Sequence, residues 1–166
     1  MQLSGSDLLY KNLDDFTVAV RDKILKRATK AATDPVLKAM RDRVPRDFDV
    51  LRDAIEVKIT SAGGKGQSIK GYVGIRRGIK VPTKIFKRGK RKGQVLIAIP
   101  TKYAHLVEYG FDKKLPDGSV IRVKGTPFVR PAWDEWGGEV MLYTFADVCE
   151  ALIAAEVVRY AVNNSH

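Results

Sequence analysis

The stretch AIEVKITSAGGKGQSIKGYVGI, residues 54–75, decides the fold class. In its first half Ile55, Val57 and Ile59 alternate with Glu56 and Lys58, the period of two that gives each face of a strand its own set of side chains. Ser61 to Gly66 supplies the glycines of a turn, and Ile69, Gly71, Val73 and Ile75 mark a returning strand. A β-hairpin is expected here. Gly63-Gly64-Lys65-Gly66 is only superficially like a phosphate-binding loop. It lacks the required spacing and the Ser or Thr after the lysine, and it lies in a hairpin instead of between a strand and a helix.

Working outward, Leu13 to Ala32 reads as an amphipathic helix. Phe16, Val20, Ile24 and Ala28 recur every four residues, and Arg21, Lys23, Lys26, Arg27 and Lys30 fill much of the other face. Thr33-Asp34-Pro35 predicts a break: Asp34 can cap, and Pro35 suits the first turn of a second, short helix carrying Leu37 and Met40. That helix must stop before Pro45, because the residue ahead of a proline avoids helical angles. Beyond the hairpin, Gln94 to Pro100 (QVLIAIP) is a continuous apolar run ended by proline, the pattern of a buried strand.

Lys102 to Tyr109 reads as a short helix stopped by Gly110 in the left-handed conformation. Phe111 to Gly125 is a polar connection with a turn at Pro116-Asp117-Gly118-Ser119 and a short strand at Val120 to Val123. Pro131 opens the last helical region, which Gly137-Gly138 divides; its final helix carries Leu142, Phe145, Cys149 and Leu152 on one face. The expectation is an α+β fold. A small antiparallel sheet of three to four strands packs against an N-terminal and a C-terminal helix, in one domain spanning residues 1–166.

With 166 residues and 45% hydrophobic side chains, such a domain can build one core without disulfides. Cys149, the single cysteine, excludes an internal disulfide and any zinc site built on several thiols. The first ten residues lack the pattern of a signal peptide. Val140 to Val162 is long enough to span a bilayer, but Asp147, Glu150, Glu156 and Arg159 interrupt it, so no membrane partner is expected.

Charge is the more informative property. The net charge is +11, and between Arg76 and Lys92 there are nine Lys or Arg and no acid: Arg76, Arg77, Lys80, Lys84, Lys87, Arg88, Lys90, Arg91 and Lys92. From Pro131 to His166 six acids face Arg159 alone. Segregation of this kind serves surfaces that must meet in one orientation, or that must face a polyanion. Gly78, Gly89 and Gly93 predict a mobile basic loop over 76–93, interrupted by Pro82 and Phe86, and 163–166 is expected to be a disordered tail. Lys and Arg in such a loop bind phosphates without reading sequence, by releasing counterions. Two partners therefore stay open: nucleic acid, or an acidic protein surface such as one like the chain's own C-terminal region.

No constellation for catalysis, metal or cofactor emerges. His105 and Glu108 share a helix face, yet one such pair supplies too few ligands for a metal. Cys149 lies on an apolar helix face and is expected to be a buried, inert thiol. Asp47, Asp49, Asp53 and Glu56 form an acidic cluster compatible with two-metal nuclease chemistry, but Arg46 and Arg52 beside them offer simple charge pairing. The expectation is a protein that is not an enzyme and holds no cofactor.

Three stretches carry a resemblance. One is RDRVPRDFDVLRDAIE, residues 41–56. The others are Tyr103-Ala104-His105-Leu106-Val107-Glu108-Tyr109-Gly110 and Thr126-Pro127-Phe128-Val129-Arg130-Pro131-Ala132. Together they resemble the neck, or tail-completion, family of long-tailed phages, the family of phage lambda's minor tail protein Z. The chain departs from that pattern with Phe48-Asp49 after the first proline and with a longer 111–125 connection.

The resemblance implies a virion protein assembled in the host cytoplasm. It implies a sixfold, head-to-tail ring of copies between head-closure proteins and the tail terminator and tube, surrounding the genomic DNA. The basic loop would then line the DNA path or clasp a neighbouring subunit; outside that family, it would serve a free, non-specific DNA-binding protein. Tyr103, His105, Leu106, Val107, Glu108, Tyr109, Gly110, Pro127, Phe128, Arg130 and Pro131 would be architectural.

Overall fold

The computed structural model describes residues 18–62, 68–85 and 87–163. Expectations for Leu13 to Thr17, for the glycines at 63–66, for Phe86 and for 164–166 fall outside the described residues. In chain order the elements are α1 (Val18–Arg43), a 3-10 turn (Arg46–Phe48), α2 (Asp49–Asp53), β1 (Ile55–Ala62), β2 (Ser68–Ile75), β3 (Val81–Ile85), β4 (Val95–Ala98), α3 (Pro100–Tyr109), β5 (Gly110–Lys114), β6 (Val120–Lys124), α4 (Val129–Trp136) and α5 (Gly138–Asn163). The α+β class is as the sequence leads one to expect. The described strands, however, form three separate pairs, β1–β2, β3–β4 and β5–β6, in place of one sheet.

α1 runs through Pro35, which corrects the expected break at Thr33-Asp34-Pro35. A proline inside a helix costs about 3 kcal/mol. Against that, Ala28, Ala32, Val36, Ala39 and Met40 continue one buried stripe across it, and each large apolar side chain taken from water returns about 1.5–3 kcal/mol. The turn ahead of the proline is also tied down. Thr33 Oγ1 donates toward the carbonyls of Thr29 (2.9 Å) and Lys30 (3.0 Å), and Lys30 Nζ meets Asp34 at 2.8 Å. The helix ends before Pro45, as expected.

Two compact units are defined. The first takes residues up to 36, 57–72 and from 136 onward. Its core is Ile24 and Ala28 of α1 with Cys149 and Ile153 of α5, and Val20, Leu25, Phe145, Val148 and Leu152 pack around them. The four-residue spacing in α1 thus marks a true core stripe. β2 lies against α1 at Gly71, where a Cβ would come within 2.7 Å of Thr29 Cγ2 and 3.2 Å of Thr33 Cγ2. Both threonine hydroxyls bond back to their own helix, which leaves the methyls to meet the strand. Glycine is the residue that permits this approach.

The second unit takes residues 37–56 and 73–135. Leu51, Ala54 and Ile55 are buried, and Arg41 Nη2 donates to Ile55 O at 2.6 Å. The Arg76 N–H donates to Ala54 O at 2.8 Å, so the start of β1 meets the end of β2 and the two run antiparallel, as the 54–75 reading requires. Arg43 forms an ion pair with Glu135 of α4.

Gly110 does end α3, but with φ 75 and ψ 179 it is not in the left-handed helical conformation. That backbone is extended with positive φ, a region open essentially to glycine alone, and it sends the chain directly into β5. The 111–125 connection is mostly a second hairpin: β5 and β6 pair antiparallel from Gly110↔Lys124 to Lys114↔Val120. Its turn is held by Asp117, whose carboxylate accepts from Ser119 Oγ (2.7 Å) and Ser119 N (2.9 Å). These bonds hold that carboxyl below its ordinary range.

Candidate functional site

The expected basic loop contains a strand. β3 occupies Val81 to Ile85 and pairs antiparallel with β4, with Val81↔Ala98, Pro82↔Ile97, Lys84↔Leu96 and Ile85↔Val95 opposite each other. The register slips between Pro82 and Lys84, where proline has no N–H for the ladder, and Thr83 Oγ1 donates to Leu96 O at 3.0 Å. The QVLIAIP run is a strand as expected, but it is not buried. Val95, Leu96 and Ile97 are exposed, because β4 has β3 as its one paired neighbour among the described strands. An apolar run normally signals a strand covered on both faces; here the covering layer is absent from the described chain.

The bulge has a consequence for side-chain direction. Residues directly opposite each other share a face, so Pro82, Ile85, Val95 and Ile97 lie together on one side of the ribbon. All four are exposed, Ile85 by 59%. The opposite side carries Lys84 and Leu96. Leu96 lines a groove of about 630 Å³ with Phe48, Thr83, Ile99 and Tyr103, and Ile97 also borders it; the rings of Phe48 and Tyr103 lie 6.0 Å apart. Partial burial there pushes the Tyr103 phenol upward.

The cations sit at the ends of this ribbon. Arg76 and Arg77 follow β2, with Arg76 Nε 3.8 Å from Glu56, and Lys80 precedes β3. Lys84 is in β3, and Lys87, Arg88, Lys90, Arg91 and Lys92 fill the turn into β4; all are exposed. Backbone bonds Lys92 N to Gly89 O (3.0 Å) and Gln94 N to Arg91 O (2.9 Å) shape that turn.

The YAHLVEYG and TPFVRPA stretches meet through one side chain. Glu108, 6% exposed, reaches from α3 to the start of α4. Its Oε2 accepts from the backbone N–H of Phe128 (2.7 Å) and Val129 (3.0 Å), and its Oε1 from that of Arg130 (3.3 Å). The first N–H groups of a helix have no partner within it and lie at its positive end, so a carboxylate satisfies both needs. The Thr126 N–H also donates to Val107 O at 2.7 Å. Nothing in the sequence pairs residue 108 with 128; i, i+3 spacing points instead to His105.

The other motif residues divide. Phe128 is fully buried, Val107 is buried, and Tyr103, Leu106 and Pro131 are half-buried. Pro131 lies in the first turn of α4, close to the expected helix start. Pro127, Tyr109 and His105 are exposed. The Arg130 guanidinium is exposed and 4.0 Å from Asp134.

The acidic cluster behaves as charge pairing: Arg52 bonds Asp49 at 3.0 Å. Among the described residues no group of three or more His, Cys, Asp or Glu is placed to hold a metal ion, and no described helix is long and apolar enough to cross a membrane. Cys149 is fully buried, and desolvation, helped by the Glu150 charge, pushes its thiol up to about 11. In native buffer it is expected to react with a thiol-specific chromogenic reagent only as fast as the protein opens. Labelling at the rate of a free exposed thiol would contradict this placement.

α5 exposes several large apolar side chains. Its inner face is the core described above, yet Tyr143 (65%), Val157 (53%), Val158 (63%) and Tyr160 (72%) are open to solvent. Large apolar side chains on a helix are normally covered. Among the described residues two apolar surfaces are thus left without a cover, the β3–β4 ribbon in the second unit and the outside of α5 in the first.

Residues 7–110 match the model of the HK97-gp10-like family, described as "Bacteriophage HK97-gp10, putative tail-component". That match spans more than half of the 166 residues, and the chain belongs to this family of phage tail components. No curated protein and no solved structure matches it.

Proposed function

We propose that this chain is a structural virion protein of the head–tail connection of a tailed phage. Copies would assemble in the host cytoplasm into a sixfold ring, each contacting the next head to tail. The ring would lie between the head-closure proteins and the tail terminator and tube, around the path of the genome. The observation that carries the reading is the family match over residues 7–110. The likeness of 103–110 and 126–132 to the lambda tail-completion family supports the position at the neck. The exposed apolar surface on α5 supports assembly, since an isolated chain would leave it in water. On this reading the protein acts by contact and not by catalysis.

Deleting the gene tests it. Filled heads and separate tails should accumulate, and normal virions from the deletion would overturn the proposal. A second reading, free non-specific DNA binding, is favoured by the cation-filled turn at 87–92. It requires the isolated chain to bind duplex at ~0.15 M salt with a steep salt dependence.

A further inference from the structure

We infer that the apolar face of the β3–β4 ribbon of one copy docks on the outer face of α5 of a neighbouring copy. The inference rests on the assembly reading above and names its contact. A two-stranded ribbon by itself is marginally stable in water and needs something packed on a face. This one shows Pro82, Ile85, Val95 and Ile97 side by side, all exposed. Binding to DNA would use the cations of the turn but leave these four residues wet. A protein surface uses both.

α5 supplies a fitting counterpart. Val140, Tyr143, Asp147, Glu150, Ala154 and Val157 follow one another at spacings of three and four, so they form a single seam along the helix. Every one of them is exposed, and the seam points away from the buried Cys149 and Ile153. It spans about 25 Å at 1.5 Å per residue. Its ends are apolar and its middle carries Asp147 and Glu150, with Glu139 beside it. Glu156 is already engaged, 3.7 Å from Lys23 and 3.8 Å from Arg159. An apolar seam with an acidic centre thus has its complement in an apolar ribbon with a basic turn.

The two surfaces are different and lie on the same chain, so a contact that is not reciprocated within one pair is heterologous. Repeated copy to copy, it closes into a ring or runs on as a filament. Opposite charges at its edge fix orientation and speed encounter more than they add affinity.

The test uses full-length single variants mixed in pairs under mild oxidation. Cys149 is buried and does not compete. Val95→Cys sits three residues past the basic turn and Ala154→Cys one helical turn from Glu150, so pairing of the turn with the acidic middle of the seam brings them close. The Val95→Cys/Ala154→Cys cross-link should form about tenfold faster than either homodimer. It should weaken several-fold in a partner carrying Lys90→Glu and Lys92→Glu, or in 1 M salt. Ile85→Cys with Tyr143→Cys provides a second pair.

Mixed and self cross-links in statistical proportion would overturn the inference, and so would a preference for either homodimer. Closure within one chain carrying both cysteines would overturn it as well. Salt-sensitive duplex binding without the mixed cross-link would assign the ribbon to DNA instead. The gene deletion scores the neck reading separately. A normal deletion phage with an intact cross-link would remove the neck and leave the contact standing.

Discussion

Replacing Glu108 by alanine is expected to lower stability by about 4 kcal/mol. Hydrogen bonds to a charged group are worth about 1.5–3 kcal/mol each and do not add fully. Glu108 accepts three, from Phe128, Val129 and Arg130. The loss also leaves the start of α4 without its cap and removes a negative charge from the positive end of the helix. With a urea m-value of about 2 kcal/mol/M, the midpoint should fall by about 2 M while m stays constant.

Glu108→Gln separates shape from charge. It keeps an acceptor oxygen but turns an NH₂ toward N–H donors, so an intermediate loss of about 2 kcal/mol is expected. An alanine variant within 1 kcal/mol of the parent would show that water replaces the carboxylate, and the joint between the two motif stretches would lose its physical basis.

The motif residues therefore mattered for a reason the sequence does not display. Residues 54–75 were legible because period-two alternation and glycines are local signals, and the Ile24–Ala28 stripe because helical spacing is local too. β3 is hidden: Pro82 and Lys84 interrupt its apolar pattern, and the proline that argues against a strand is accommodated by a bulge beside it. Pro35 misled in the opposite direction, since whether a proline breaks a helix depends on the stripe buried on either side of it.

A continuous apolar run such as QVLIAIP reports what a strand needs, not whether the described chain supplies it. The same holds for α5. Its apolar composition was plain in the sequence, and only the structure shows that the outer seam has no cover among the described residues. Charge segregation was legible as a pattern. What it joins became arguable only when the basic residues were found on a ribbon with an apolar face.

Gly110→Ala is expected to cost about 4 kcal/mol, for two reasons that a second glycine separates. The first is conformational: φ 75 with ψ 179 lies where a side chain costs about 1–3 kcal/mol. The second is steric. A Cβ at 110 would lie 2.3 Å from Val123 O and 2.6 Å from Gly125 N, both backbone atoms of the facing strand end. Backbone cannot turn aside as a side chain can, and forcing it typically costs a further 1–3 kcal/mol, or about that. Gly125 presses from the other side, its own Cβ position 2.5 Å from Gly110 N and 2.6 Å from Glu108 O. Two glycines back to back thus let β5 leave α3 while Thr126 bonds to Val107 and Glu108 reaches α4. Gly118 supplies the control: its φ is 87, but a Cβ there would meet nothing within 4 Å. Gly118→Ala should therefore lose only the conformational part, about 1–2 kcal/mol. Denaturant midpoints that rank Gly110→Ala well below Gly118→Ala would confirm the close approach. Equal losses at the two positions would mean that the β5–β6 hairpin moves away from α3 to admit a methyl group.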